Sequence, residues 1–353
     1  MYTELDIKSF LQKMDTLSVA DVRTPDEYGK GHIPGSVNLP LFTNEERKLV
    51  GTTYKLNGRE QAVREGIELV HPKLLDYISR AFELAENKNL LLYCWRGGFR
   101  SSSLAWLFDL AGFSVFTLKG GYKSYRNHVL DLFNKPLKMI VIGGMTGSGK
   151  TELLNRLMHA GEQIINLEQL AHHKGSAFGN IGQEKQLSNE QFENNLAGVI
   201  MKLNHERPVW IEDESRHIGF NQVPSGLYRQ IRNSLAICLL TDRNKRIERL
   251  IEDYAHYSKD ELKQSVMKIS KKLGGLNTTK AIDSLMNDRY HEIVEIVLTY
   301  YDKTYEYSLR QRDPENVIFY STGQNITEQA TMEIIKLAMS NYQYNSEIDP
   351  GPC

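Results

Sequence analysis

At 353 residues, with 41% apolar and 25% charged residues, the chain is long enough for two hydrophobic cores and too ordinary in composition for a disordered or fibrous protein. A formal charge of −1 argues against a uniformly basic polyanion binder, no apolar run reaches the roughly 18 residues of a membrane span, and three cysteines are too few and too scattered for a disulfide framework or a zinc site. The opening MYTELDIKSFLQKMD lacks the basic and apolar regions of a secretory signal, so a cytoplasmic protein with reduced thiols is expected.

In chain order, TLSVADVR reads as a short strand running into the polar turn TPDEYGKGHIPGSVNLP. HPKLLDYISRAFELAE has helical spacing, NLLLYCW is a buried strand, SSSLAWLFDLAG a helix ending at Gly112, and FSVFTLKGG a further strand. Apolar strands alternating with helices imply a parallel sheet in an α/β fold. Pro136 in FNKPLK stops the preceding helix, and the domain boundary is placed there, giving domains over 1–133 and 134–345. The pattern then restarts. LKMIVIGG is a strand, GKTELLNRLMHAG a helix and EQIINLE a strand; a helix opens at Ser188 with Gln191 three residues on, and PVWIEDES and SLAICLLT are buried strands. A helical subdomain follows around 243–312, then the strand NVIFYS and a last helix, with 346–353 expected as a flexible tail. Cys238, inside SLAICLLT, reads as a core residue, and Cys353 as incidental.

Two stretches carry chemistry. The first is YCWRGGFRSS, where Cys94 ends an apolar strand and precedes a helix. A thiolate there is stabilised by the helix N-terminus and by backbone N–H groups. Arg100, six positions on, offers a planar fork to an oxyanion, and Gly97 and Gly98 let the loop curl around it. The second is GGMTGSGKT. Gly144, Gly149, Lys150 and Thr151 fit G-x-x-x-x-G-K-[ST], the Walker A or P-loop pattern, between a strand and a helix. Gly144, Gly147, Ser148 and Gly149 would turn N–H groups inward on a phosphate chain, Lys150 would add a full charge, and Thr151 would place its hydroxyl on a Mg²⁺. Asp213 in VWIEDES is the expected metal-facing acid, with Glu212 second. His172, His173, Lys174 and Ser176 in AHHKGSAFG are candidates to touch phosphate or substrate, or are simply solvated.

The stretches DVRTPDEYGKGHIPGSVNLPL, YCWRGGFRSS and LKGGYKSYR together resemble a rhodanese domain. Its sulfurtransferase loop is one residue shorter than the loop here. The spacing here is that of rhodanese-like phosphatases, which carry histidine where this chain has Tyr93, so a loop sized for a larger chalcogen or a phosphate-bearing donor stays open. A rhodanese-like parallel sheet domain followed by a P-loop NTPase-like α/β domain resembles the tRNA 2-selenouridine synthase family over nearly the whole chain. VGTTYKLNGREQAVREGIELV, AHHKGSAFG, IEDESRHIG and YYDKTY carry the resemblance further. In YYDKTY a proline is expected after the aspartate, a departure expected to touch the helical subdomain and neither loop.

The resemblance implies a cytoplasmic transferase that converts wobble 2-thiouridine of tRNA to 2-selenouridine through an S-geranyl intermediate, with geranyl diphosphate and selenophosphate as co-substrates and no tightly bound organic cofactor. Lys150 and its loop would stabilise the departing diphosphate. Cys94, with Trp95, Arg96, Gly97, Gly98 and Phe99, would hold selenophosphate. The tRNA acceptor gives weight to a basic stretch, Arg216 to Lys280, with 13 Lys/Arg against 6 Asp/Glu. Arg243, Lys245, Arg246, Arg249, Lys271 and Lys272 are its candidate phosphate contacts. Met145, Phe178 and Phe220 are candidates to line an apolar groove for the geranyl chain. An ATP-dependent sulfurtransferase or small-molecule kinase with a sulfur-carrier domain is the alternative.

Overall fold

The computed structural model describes residues 2–323 and 325–348, the side chains of 343–348 excepted. It divides into two compact units, one running through Leu132 with Glu193–Ala197, the other from Phe133 to Phe192 and from Gly198 onward.

The first unit is built on five strands: β1 (Thr3–Leu5), β2 (Ser18–Asp21), β3 (Val37–Asn38), β4 (Asn89–Tyr93) and β5 (Ser114–Leu118), in the order β1-β5-β4-β2-β3. All four pairings are parallel, as the alternation of strands and helices predicts. Central β4 is buried from Leu90 to Tyr93, which is why its apolar run is continuous rather than alternating. The core on one side of it includes Val22, Leu92, Leu104, Phe108 and Val115. The connections leaving β2 and β4 run to opposite sides of the sheet, so the carboxyl ends of these neighbours form the crevice where α/β sheets bind ligands. Cys94 and Arg23 follow those two ends.

The VGTTYKLNGREQAVREGIELV stretch forms parts of two helices, Asn44–Asn57 and Arg59–Val70. The first is opened by a capping box between Thr43 and Glu46, and the two are separated at Gly58, whose φ of 86° suits glycine. The stretch 24–40, read as a turn, also holds the short Pro25–Lys30 helix, capped by Thr24 and Glu27.

The second unit holds β6 (Met139–Gly144), β7 (Gln163–Ile165), β8 (Val209–Glu212), the short antiparallel pair β9 (His217–Ile218) and β10 (Asn221–Gln222), β11 (Leu235–Leu240) and β12 (Val317–Ser321). Its main sheet is again all parallel, in the order β12-β11-β6-β8-β7. The central β6 delivers the P-loop at its carboxyl end, and the Lys150–His159 helix follows. Trp210, Ile140, Ile142, Leu153 and Ile237 form the core around it. Ser188 accepts a hydrogen bond from the Gln191 N–H and opens the Asn189–Met201 helix, as the sequence spacing predicts.

The helical subdomain packs the Lys259–Lys268, Gly275–Met286 and Tyr290–Leu309 helices around Val266, Leu285, Ile293 and Val297. Cys238 is buried in β11, as expected of a core thiol. The last helix runs Glu328–Ile348, into the segment 346–353 read as a tail; the rest of that segment, with Cys353, lies outside the described residues. No helix among the described residues is long and apolar enough to cross a membrane.

Candidate functional site

In the first unit, the loop from Cys94 to Gly98 joins β4 to the Phe99–Leu110 helix. Its shape is set from outside by the LKGG turn. The N–H groups of Tyr122 and Lys123 donate to the carbonyls of Cys94 and Trp95, at 2.8 and 3.0 Å. Backbone meets backbone so closely that side chains are excluded. A Cβ on Gly97 (φ 64°) would lie 2.8 Å from the Leu118 carbonyl oxygen, and one on Gly121 (φ 59°) would collide with the Cys94 carbonyl. Gly98 differs: its φ is negative and a Cβ there would meet nothing within 4 Å.

Cys94 is 3% exposed, at the base of a mouth formed by the exposed Trp95, Arg96, Gly98 and Phe99. Its Sγ accepts from the Gly98 N–H at 3.3 Å and lies 3.2 Å from Ser101 Oγ. Burial pushes the thiol up, but the hydrogen bonds from Ser101, Gly98 and the rest of the loop outweigh it and hold the thiol below its ordinary value. Arg59 stacks on the Phe99 ring at 4.7 Å. Arg100 differs from expectation. Its two terminal nitrogens grip Glu27 at 2.5 and 3.1 Å, so the fork reserved for an oxyanion is taken by a carboxylate that also caps the Pro25–Lys30 helix. Burial raises the Glu27 carboxyl, but Arg100 and the Thr24 N–H prevail and hold it low.

Beneath the loop, Asp21 and Arg23 form a fully buried ion pair at 2.6 Å, and the Arg23 guanidinium lies 3.8 Å from the Tyr122 ring. Tyr93 points inward. Its hydroxyl accepts from the Ile33 N–H at 3.1 Å and meets Ser36 Oγ at 2.9 Å, tying the loop strand to the His-Ile-Pro-Gly turn.

In the second unit, Gly144, Gly147 and Gly149 all have positive φ. A Cβ on Gly147 would meet the Arg246 carbonyl at 2.9 Å, and one on Gly149 would meet Ile326 at 2.8 Å. Lys150 Nζ donates to the Gly144 carbonyl at 3.1 Å, spanning the cradle it is expected to complete. Ser148 is buried in the same loop, and its Oγ has no hydrogen-bond partner among the described residues.

The acid opposite Thr151 is Glu212, and the choice of Asp213 is corrected. Thr151 Oγ1 donates to Glu212 Oε1 at 2.8 Å and lies 3.3 Å from Glu168 Oε2. Asp213, one residue past the end of β8, lines the same cavity, but its carboxylate accepts from Arg312 at 2.6 Å and Arg232 at 3.5 Å and not from Thr151. Arg312 is itself locked onto the carbonyls of Ile231, Arg232 and Ser234, so Asp213 ties the strand end to the sheet. Glu212 is fully buried, and its second oxygen has no hydrogen-bond partner among the described residues. Burial and the neighbouring Glu168 push its carboxyl up to about 7, against the pull of Thr151 and Lys150. Glu168 and Glu214, also raised mainly by burial, crowd the same corner, where a Cβ on Gly175 would lie 2.8 and 2.5 Å from their oxygens. Thr151, Glu212 and Glu168 offer hard oxygen donors that fit a Mg²⁺ whose remaining ligands are phosphate and water.

Two of the basic residues expected at a tRNA surface are corrected. Arg246 is buried, paired with Asp302 at 2.7 and 2.9 Å, and donates to the Thr146 carbonyl at 3.2 Å. Arg249 donates to the Ser148 carbonyl at 3.0 Å and pairs with Glu152. Both serve the P-loop. Arg243, Lys271 and Lys272 are exposed, and Lys245 is half-exposed beside Glu248.

Within YYDKTY, Lys303, where a proline is expected, is exposed on the Tyr290–Leu309 helix, while its neighbours Asp302 and Tyr305 reach the P-loop. The Tyr305 hydroxyl accepts from the Gly144 N–H at 2.7 Å, and Asp302 reaches Thr146 through Arg246. Lys174 and Ser176 line the P-loop cavity. His173 is buried on a second cavity of mixed lining, which adjoins the P-loop cavity through Gly175 and Ser176 and also includes Phe220, and His172 lies 3.6 Å from Glu184. Of the three residues expected in an apolar groove, Phe178 lines an apolar cavity, Phe220 lies on the mixed one and Met145 lines none of these three cavities.

Residues 137–336 match the family model described as the tRNA 2-selenouridine synthase AAA domain, and residues 6–128 match the rhodanese-like domain. The chain is similar to a tRNA 2-selenouridine synthase of Shewanella denitrificans, 33% identical over 85% of this chain and 90% of that one. It is also similar to one of Nitrosomonas europaea, 34% identical over 87% and 93%. Among solved structures, the N-terminal domain of a Clostridium difficile 630 protein named for ATP/GTP binding is 44% identical over 36% of this chain and 99% of that domain, with a TM-score of 0.35.

Two outcomes test this geometry. Gly121→Ala should displace the Cys94 loop and slow thiol alkylation at pH 7 by about tenfold or more, while Gly98→Ala should leave it within about twofold, as read by iodoacetamide kinetics. Glu212 takes up a proton on folding at pH values between the ordinary carboxylate range and about 7, so stability falls as pH rises through that window. Glu212→Gln should remove this loss. In metal-free buffer its denaturation midpoint should gain on the wild type from pH 5 to pH 8, and a constant difference would contradict the assignment.

Proposed function

Because the chain belongs to the tRNA 2-selenouridine synthase family, we propose that it replaces the sulfur of wobble 2-thiouridine in tRNA by selenium in two transfers, using geranyl diphosphate and selenophosphate. The observation that carries this reading is the presence in one chain of two anion cradles of different chemistry, a loop that stabilises a thiolate and a lysine-bearing P-loop.

In the first transfer the thiocarbonyl sulfur bonds to C1 of the geranyl group. The C1–O bond breaks, the diphosphate leaves with the electron pair, and the base loses its N3 proton. Negative charge grows on the leaving group, so preorganised donors aimed at it lower the barrier. Lys150 and the N–H groups of Gly147 and Gly149 are those donors, while the Ser148 N–H closes the turn on the Met145 carbonyl. A Mg²⁺ on Thr151, Glu212 and Glu168 would add charge of the same sign. The P-loop then works without ATP hydrolysis.

In the second transfer the selenium of selenophosphate bonds to C2 of the base. The carbon–sulfur bond breaks and geranylthiolate leaves; water takes the phosphoryl group as inorganic phosphate. The Trp95–Phe99 loop holds the selenophosphate, and Cys94 presents its low-lying thiol to the donor. Arg100 acts by holding the loop through Glu27. The exposed Arg243, Lys245, Lys271 and Lys272 are the proposed tRNA phosphate contacts.

Purified protein incubated with 2-thiouridine tRNA and both co-substrates, with nucleosides read by mass spectrometry, tests the reading. Lys150→Ala should lower S-geranylation by about 10²-fold or more. It should leave selenium transfer to pre-geranylated tRNA near wild type. Cys94→Ala should do the reverse. Equal loss of both steps in both variants would refute the division, and turnover that depends on ATP would favour a sulfurtransferase or kinase.

A further inference from the structure

We propose that the apolar cavity between the Arg243–Tyr254 and Tyr290–Leu309 helices is the seat of the prenyl chain, adjoining the P-loop cavity that takes its diphosphate. The inference rests on the prenyl-transfer reading above.

The cavity itself measures about 60 Å³, and the empty space reaches about 560 Å³ once the open region at its mouth is included, so a prenyl chain would have to part the side chains around it. Leu262, Leu285, Val294 and Val297 are among its walls. It shares Thr146, Ser176, Leu250, Tyr254 and Tyr301 with the P-loop cavity. Thr146 belongs to the P-loop itself. The two cavities therefore adjoin along a shared wall, with a cationic, N–H-rich space on one side and a hydrocarbon space on the other, which is the polarity of an alkyl diphosphate. A nucleotide base needs hydrogen-bonding partners for its ring nitrogens, and this lining presents almost only aliphatic and aromatic carbon.

The tyrosines at the junction are turned for the same purpose. The Tyr301 hydroxyl accepts from the Ala177 N–H at 2.7 Å, which satisfies its polar tip within the loop. Phe178 packs against Tyr254 with ring centroids 5.8 Å apart. A substrate that spans the junction places C1, the carbon that loses the diphosphate, beside Tyr254 and Tyr301. Positive charge developing on that allylic carbon is favoured by aromatic faces. An empty apolar space of this kind costs stability in a core, a cost that a hydrocarbon ligand relieves. Val294 and Leu285 lie outside the shared set of wall residues, where they would meet the distal part of the chain and so set its length.

Val294→Phe narrows the space and Leu285→Ala widens it. In the full-length protein, Val294→Phe should raise the KM for geranyl diphosphate by about tenfold or more, since it removes room for several buried methylenes. It should leave transfer from dimethylallyl diphosphate and inhibition by inorganic pyrophosphate within about twofold. Leu285→Ala should shift preference towards farnesyl diphosphate, and a melting curve for each variant verifies folding. Unchanged chain-length preference in both folded variants overturns the cavity assignment while leaving prenyl transfer standing. Parallel loss with geranyl, dimethylallyl and pyrophosphate also overturns it, since the damage then lies in the P-loop. Absence of any prenyl transfer by the wild-type protein overturns the underlying reading.

Discussion

The first N–H groups of a helix have no carbonyl four residues behind them, and both candidate sites of this protein are built from that shortage. Each places a tight loop between the carboxyl end of a central parallel strand and a helix, so unpaired donors and the helix dipole point at one spot. What differs is how each loop is held. The Cys94 loop is clamped by the Gly120–Gly121 turn, backbone on backbone, where Gly97 and Gly121 leave no room for a methyl group. The P-loop is held by side chains from the helical subdomain: Arg246 and Arg249 on the carbonyls of Thr146 and Ser148, and Tyr305 on the N–H of Gly144.

That difference explains which parts of the molecule were legible in the sequence. The two loops, their strands and the parallel sheets follow from local pattern, since glycine spacing, apolar runs and caps act within a few residues. The side chains that hold the P-loop act across about a hundred residues or more, from 246 to 146 and from 305 to 144. A count of charges along a helix cannot tell a solvated arginine from one turned inward on Asp302. The error at Asp213 has a similar cause. Side chains alternate along a strand, so one position decides whether an acid meets Thr151 or Arg312, and Asp213 falls just beyond the end of β8. Tyr93 was visible as a departure from a phosphatase pattern, but its work, pinning the loop strand to Ile33 and Ser36, depends on a turn sixty residues away.

The same anchoring links the P-loop to the apolar cavity. The Tyr290–Leu309 helix carries Asp302 and Tyr305 towards the loop and Val294 and Val297 towards the cavity, so one rigid element shapes both adjoining spaces. The YYDKTY run sits where those two tasks meet, with Tyr301 on the shared wall.

Electrostatics then constrain what the P-loop can accept. Lys150 faces Glu168, Glu212 and Glu214, three carboxyls that burial already pushes towards the neutral form, with the charge of Glu168 adding to the push on the other two. On the proposed reading, an arriving diphosphate would bring further negative charge into this corner. Unless something positive arrived with it, the carboxyls would have to bind protons or the anion would be repelled. A hard divalent cation held by Thr151, Glu212 and Glu168 would supply the balancing positive charge. On this account the acids opposite the lysine serve to make anion binding conditional on a cation or on protons, so that the cradle is complete only when charge in the corner is balanced.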